Sequence, residues 1–159
     1  MQLYAVGFSC VGWGVSRAML DAFIDLAKSK IQAWSSNLLR DNYAVQYLIG
    51  DSDTAWKAAR AGVDLALDNV WDQVQAAGVL SLNDKTRIRK ATNYAIHISH
   101  DMCHHVLHQG ERDGHFQSPA FERRVWDVNS VFQQTQWRRT PFETVRTYPL
   151  GGASDCRWL

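Results

Sequence analysis

Apolar side chains recur every three or four residues in four long segments of this chain, which is the period of an amphipathic α-helix. The segment from Leu38 to Ala77 alternates steps of three and four, which predicts the seam of an antiparallel bundle. Two more helices are predicted, from Ser81 to Gly110 and from Ser118 to a stop at Pro141. The first segment, Leu3 to Ala27, is apolar on almost every face, so we expect it to be covered nearly all round.

Local signals mark the ends of these helices. Ser118 is a suitable N-cap for the last one. Ser81 and Asp84 resemble a capping box in which aspartate takes the place of the usual glutamate. Gly78 is well placed to end the second helix in the left-handed conformation.

Four amphipathic segments joined by short connections predict an all-α fold, an antiparallel up-down-up-down four-helix bundle with an extended C-terminal arm. The bundle should occupy residues 1–152, and residues 153–159 should form a loose tail. Gly7, Gly12 and Gly14 each cost the first helix about 1 kcal/mol relative to alanine. We expect close packing against a neighbouring helix or another subunit to compensate.

Composition narrows the class of protein. An apolar content of 46% with seven tryptophans excludes a disordered chain. Seventeen basic and sixteen acidic residues are well mixed, so charge gives no reason to propose nucleic acid or an anionic membrane as a partner. Three scattered cysteines predict no disulfide framework and favour the cytoplasm. The longest uncharged apolar run near the N-terminus is too short to span a bilayer.

Residues 118–145 carry an F-E-R-R start, a central Asp127 and a Q-Q-x-Q-x-R exit followed by F-E-T-V. This segment resembles the last bundle helix and the following arm of the flavin-dependent acyl-CoA dehydrogenase family, and in particular its flavin monooxygenase-like branch. Residues 3–8, 18–23 and 40–46 resemble the start of that family's C-terminal helical domain, in the same order.

The resemblance implies a four-helix bundle that contributes to a homo-oligomer and forms one wall of a flavin and substrate site. The cofactor would be FAD or FMN, held between the bundle and two other domains of the family. We therefore expect this chain to be a fragment, a truncated form or one half of a split flavoprotein oxidoreductase. Its partners would be other copies of itself and the missing N-terminal and β-barrel domains.

The resemblance also implies cofactor-binding residues, with a solvated helix face as the alternative. These residues are Gln46, Asn129, Gln133, Gln134 and Arg138.

Departures from the family's pattern affect the expected chemistry. Thr135 stands where the dehydrogenases often carry a catalytic glutamate, so no catalytic residue is assigned and the monooxygenase-like branch is favoured. Asn129 stands where that branch commonly has a histidine. Glu111 and Arg112 replace paired glycines, and Trp126 replaces an arginine. These departures support an alternative, a non-enzymatic helical interaction module that has lost catalysis.

Five of the six histidines lie on the predicted third helix, and four of them, His97, His100, His104 and His108, share one face. Histidines four residues apart can bind zinc, copper or nickel, so a metal-binding bundle using His100, His104 and His108 is a further alternative. The sequence has no H-E-x-x-H arrangement and no facing cysteine or histidine cluster. We favour a polar helix face, and Cys103 as a buried structural thiol.

Overall fold

A computed structural model of the chain describes residues 2–32, 34–112 and 119–133. These residues form four α-helices and a short 3₁₀ turn, namely α1 (Gln2–Ser29), the turn (Leu39–Asp41), α2 (Tyr43–Ala77), α3 (Leu82–Arg112) and α4 (Pro119–Phe132). Extended structure in the same ranges is limited to one isolated bridge between Ile31 and Leu38. The all-α prediction is therefore confirmed. The predicted cap at Ser118, the stop at Pro141, the arm and the tail lie outside the described residues.

The start of α2 differs from the prediction. The helix begins at Tyr43 rather than Leu38, because Leu38 forms the bridge with Ile31 and leaves helical conformation. Asn42 is the N-cap, and its side-chain oxygen accepts a hydrogen bond from the N–H of Ala44 at 2.8 Å. The start of α2 is therefore set by an N-cap that accepts a hydrogen bond from a free N–H, and not by the first residue of the apolar pattern.

The connection between α2 and α3 follows the sequence signals. Gly78 has a φ of 70° and donates its N–H to the carbonyl of Val74, so it ends α2 as predicted. The Ser81 hydroxyl accepts the N–H of Asp84 at 3.2 Å and donates to the Asp84 carboxylate, which confirms a modified capping box. Gly110 does not end α3, contrary to the prediction, since it is buried within a helix that continues to Arg112.

The contact between α1 and α3 uses small residues. Ser9, Gly12 and Ser16 recur on one face of α1 and are buried. A Cβ atom at Gly12 would meet Ser99 of α3 at 3.5 Å, so the expected close packing of this glycine is confirmed. The hydroxyls of Ser9, Ser16, Ser99 and Thr92 donate to carbonyl groups of their own helices. Because these buried groups need no partner from the other helix, α1 and α3 pack closely.

Two larger apolar clusters complete the core. One joins all four helices and contains Met19, Leu20, Phe23, Val45, Met102, Cys103, Val106, Phe121, Val125 and Val128. The other contains Trp13, Ala59, Val63 and Ala95. The predicted apolar seams of α2, α3 and α4 therefore face inward. α1 and α3 form the centre of the bundle, since each of them packs against the other three helices.

One face of α1 is open in the described structure. The side chains of Tyr4 and Val11 are 71% and 50% exposed, and no atom lies within 4 Å of a Cβ built at Gly7 or Gly14. Tyr4, Gly7, Phe8 and Val11 line a shallow apolar groove there. Within the described ranges this face of α1 is not covered by another helix, contrary to the expectation that α1 is covered nearly all round. Gly7 and Gly14 meet no neighbouring helix in these ranges, and their packing against another subunit stays a prediction. No helix in the described ranges combines the length and apolar character that crossing a bilayer requires.

Polar contacts join α1 to α2, which run in opposite directions. Arg17 pairs with Asp21 of its own helix and donates from Nη1 to Asp53 Oδ1 of α2 at 2.6 Å. Lys57 Nζ lies 2.6 Å from the other oxygen of Asp53. The Arg17 guanidinium also lies 5.7 Å from the centre of the Trp56 ring. Hydrogen bonds from Lys57 and Arg17 hold the pKa of Asp53 below its usual value.

Replacing Asp53 with asparagine should weaken this link in a pH-dependent way. Because the folded-state pKa is lowered, the stabilisation is present above about pH 4 and is lost as pH falls through the folded pKa. We expect Asp53→Asn to lower the free energy of unfolding by about 0.5–1 kcal/mol at neutral pH. The difference from wild type should shrink as the pH falls below the unfolded-state pKa and vanish once Asp53 is protonated in the folded protein. Urea unfolding of both proteins at neutral pH and at acidic pH measures this difference in the free energy of unfolding.

The matched control is Asp64→Asn, which removes a 3.6 Å ion pair with Arg60 in which both side chains are 57% exposed. Little change is expected, since solvent screens so exposed a pair. Equal losses in the two variants at neutral pH would contradict the prediction.

Candidate functional site

The orientation of α4 decides which of its polar residues are available to a ligand. Phe121, Val125 and Val128 are buried against the other helices, as predicted, and Phe132 is half-buried. Residues three, four and seven positions apart lie on the same side of a helix. Trp126, Asn129 and Gln133 have this spacing, and they form the side of α4 next to its buried face, which we call the flank of α4.

The flank offers one aromatic ring and two carboxamides. The Trp126 side chain is 72% exposed, Gln133 is exposed and Asn129 is half-buried. The N–H of Gln133 donates to the carbonyl of Asn129 at 2.9 Å, so the two carboxamides lie one helical turn apart. Asn129 and Gln133 therefore lie next to each other on α4, and their role in cofactor binding stays a prediction. Gln134 and Arg138 lie outside the described residues.

The histidines of α3 lie beside this flank. His97, His100 and His104 are half-buried, whereas His108 is exposed. The His100 ring stacks on Phe132 with ring centres 4.0 Å apart and an interplanar angle of 23°. His97 meets the same ring edge-on at 5.2 Å. The histidine face of α3 is therefore partly covered at its first three histidines, because residues of α4 pack against them.

A hydrogen bond joins the histidines to a predicted cofactor-binding residue. His104 Nε2 lies 3.2 Å from Asn129 Oδ1, across the interface between α3 and α4. The ring of His100 lies 4.3 Å from that of His104, and its Nδ1 is 3.3 Å from an oxygen of Asp101. Sequence reasoning placed these histidines on one face but did not connect His104 with Asn129. The missing information was the register between α3 and α4, which helical spacing alone does not contain.

Gln46 occupies a different position. It lies in the first turn of α2, where its Nε2 donates to the carbonyl of Arg40 at 3.0 Å. Its backbone N–H donates to the carbonyl of Asn42. α2 packs against α3 and makes hardly any contact with α4 in the described ranges. The structure therefore gives Gln46 a role in fixing the start of α2 and does not bring it to the flank of α4.

The histidines do not form a recognisable metal centre. Within residues 2–32, 34–112 and 119–133, no group of three or more histidine, cysteine, aspartate or glutamate side chains is arranged to hold a metal ion. The His104 and His108 rings are 6.3 Å apart, and His104 uses one nitrogen to contact Asn129. The same spacing places His97 and His100 against Phe132 of α4, and His104 against Asn129.

Cys103 belongs to the apolar cluster that joins the four helices, and it is completely buried. Burial raises the pKa of its thiol to about 12, in spite of the opposing effect of the Arg124 charge. The thiol is therefore protonated at neutral pH and unreactive. This agrees with the structural role predicted for Cys103. Cys10, on α1, is exposed.

The flank of α4 has the chemistry of one wall of a binding site. An indole face stacks on planar ring systems, and carboxamides both donate and accept hydrogen bonds along the edge of a heterocycle. These groups fit one side of a flavin or of an aromatic substrate. Among the described residues nothing covers the exposed sides of Trp126 and Gln133, whereas small-molecule sites enclose most of their ligand.

Comparison with known proteins defines the family. The family model described as acyl-CoA dehydrogenase, C-terminal domain, matches residues 6–137, which is most of the chain. The chain therefore belongs to the acyl-CoA dehydrogenase family through this domain. The matched range includes all of α2, α3 and α4. The family resemblance carried by the sequence is thus confirmed.

One curated relative adds information about the branch. Indole-3-acetate monooxygenase from Pseudomonas putida is 22% identical to this chain over 125 residues. The match covers 79% of this chain and 32% of the relative, so the chain spans about a third of that protein's length. The relative's name agrees with the monooxygenase-like branch favoured by the sequence.

The two described thiols should differ sharply in reactivity. We expect iodoacetamide at neutral pH to label Cys10 in the folded protein, whereas Cys103 should react only after unfolding, because burial keeps it protonated and inaccessible. Peptide mass spectrometry after timed labelling locates the modified residue. Labelling of both thiols at the same rate without denaturant would contradict the burial of Cys103.

Proposed function

We propose that this chain acts as the C-terminal helical domain of a flavin-dependent oxidoreductase, in which it assembles subunits and forms one wall of the flavin and substrate site. The observation that carries the proposal is the strip of Trp126, Asn129 and Gln133 on α4, within a domain of the acyl-CoA dehydrogenase family. A bound flavin, FAD or FMN, would supply the redox chemistry. This chain's residues would hold and orient one face of it.

The name of the relative supports a monooxygenase as the parent activity. Because the chain covers only about a third of that relative, the remainder of the site would come from other polypeptide, in the same chain or in a partner. In the part of the chain that the structure describes, the flank of α4 is open on one side, which agrees with a wall that another domain completes.

Flavin binding tests the proposal directly. We expect FAD or FMN to bind the purified chain weakly but saturably, since only one wall is present. Quenching of flavin fluorescence measures the affinity, and gel filtration shows whether flavin travels with the protein. Trp126→Ala should weaken binding about fivefold, as expected for a stacking contact of about 1 kcal/mol.

Trp71→Ala is the matched control, because Trp71 lies on α2 and its side chain is 66% exposed, similar to that of Trp126. Its removal should leave flavin affinity unchanged. Absence of saturable binding, or equal effects of the two substitutions, would count against the proposed site.

Assembly is assigned to the open face of α1. Tyr4, Phe8 and Val11 form an apolar groove, and Gly7 and Gly14 leave the backbone accessible along the same side. A contiguous exposed apolar surface of this kind is typical of an interface. A second copy of the chain would cover it and compensate for the helix stability that the glycines cost.

A charge on this face should prevent self-association. We expect the wild-type chain to form oligomers at micromolar concentration and Val11→Asp to be monomeric, since the carboxylate would be buried without a partner. Sedimentation velocity measures the proportions of monomer and oligomer. Val79→Asp is the control, because Val79 is 70% exposed in the connection between α2 and α3 and the variant should still associate. A monomeric wild-type chain would refute this assignment.

A second candidate function is a helical interaction module without catalysis. The open face of α1 favours it, because this face would serve assembly whether or not a flavin is bound. The two candidates differ in flavin binding and agree on self-association, so the flavin-binding experiment separates them.

A further inference from the structure

The bond between His104 and Asn129 defines the orientation of the Asn129 side chain. A carboxamide oxygen only accepts hydrogen bonds, so His104 Nε2, 3.2 Å from Asn129 Oδ1, must carry the proton. The donor end of the carboxamide, Nδ2, then points away from the imidazole. In the described part of the chain Nδ2 has no hydrogen-bond partner, and Asn129 is only half-buried.

The neighbours of His104 hold its ring in place. Its ring lies 4.3 Å from that of His100, which is stacked on Phe132 and has Asp101 at 3.3 Å from its Nδ1. The imidazole is therefore held from the side of α3, whereas helix α4 fixes the backbone of Asn129 and the contact with His104 orients its side chain. A side chain held in this way presents its free donor in one direction, which reduces the entropy lost on binding.

We propose that His104 is a positioning residue for the ligand, which fixes Asn129 so that Nδ2 is presented as a hydrogen-bond donor on the flank of α4. The group that meets Asn129 is then an acceptor, such as a carbonyl oxygen or an unprotonated heterocyclic nitrogen, and a donor at this point is rejected. The inference rests on the proposed function, in which a flavin or aromatic substrate lies along this flank. It assigns a role to a residue of α3 that does not itself need to touch the ligand.

Ring nitrogen chemical shifts from NMR test the arrangement without any ligand. We expect the neutral His104 ring to be protonated at Nε2, and Asn129→Leu to change the shift of that nitrogen. His104→Leu should change the side-chain amide shifts of Asn129, whereas His105→Leu, which alters an exposed neighbour on α3, should not. A neutral His104 protonated at Nδ1 would overturn the inference.

Flavin titration of the same variants tests the consequence. His104→Leu should weaken FAD or FMN binding about tenfold, because Asn129 is then free to rotate. His104→Gln keeps an N–H donor near the position of Nε2 and should remain within about twofold of wild type. The double variant His104→Leu with Asn129→Leu should bind no more weakly than Asn129→Leu alone, since the two residues act through one contact. His105→Leu is the control and should bind as wild type does.

The two experiments distinguish the possible failures. If the wild-type chain binds flavin and His104→Leu binds equally well, the positioning role is refuted and the proposed function stands. If the NMR responses occur but neither the wild-type chain nor any variant binds flavin, the proposed function is refuted. The orienting contact between His104 and Asn129 is then still supported.

Discussion

The close approach of α1 and α3 sets the positions of the other helices. Ser9, Gly12 and Ser16 present almost no side-chain volume to Ser99 and its neighbours, and their hydroxyls are satisfied within their own helices. A seam without large side chains or unpaired polar groups lets two backbones come together with little desolvation cost. With α1 and α3 paired, α2 and α4 occupy the grooves that remain.

The central position of α3 explains why the candidate site lies where it does. A helix with neighbours on several sides must place some polar residues in interfaces, and in α3 the histidines fall under α4. His100 packs on Phe132 and His104 is hydrogen-bonded to Asn129. These histidines of α3 therefore hold residues of α4 in position. The fold thus positions polar groups through the helix behind them, which is more rigid than a surface loop.

Much of the fold follows from patterns in the sequence, because those patterns are local. Helical periodicity located the four helices, and Gly78, Ser81 and Asp84 ended or began them as expected. Asn42 overrode the apolar pattern at the start of α2, since capping is a stronger local signal than an apolar residue. The open face of α1 and the contact between His104 and Asn129 depend on which helices are neighbours and in what register, and a single sequence does not specify either.

The pairing of α1 with α3 also has a consequence for synthesis of the protein. Gly12 and Ser99 lie far apart in the chain, so α1 leaves the ribosome long before its partner exists. At about 5–20 residues per second, the interval is on the order of 4–17 seconds. During that time both the seam of α1 and its open apolar face are exposed to solvent. Until α3 has been made, the nascent first helix therefore lacks the partner that covers its small-residue seam.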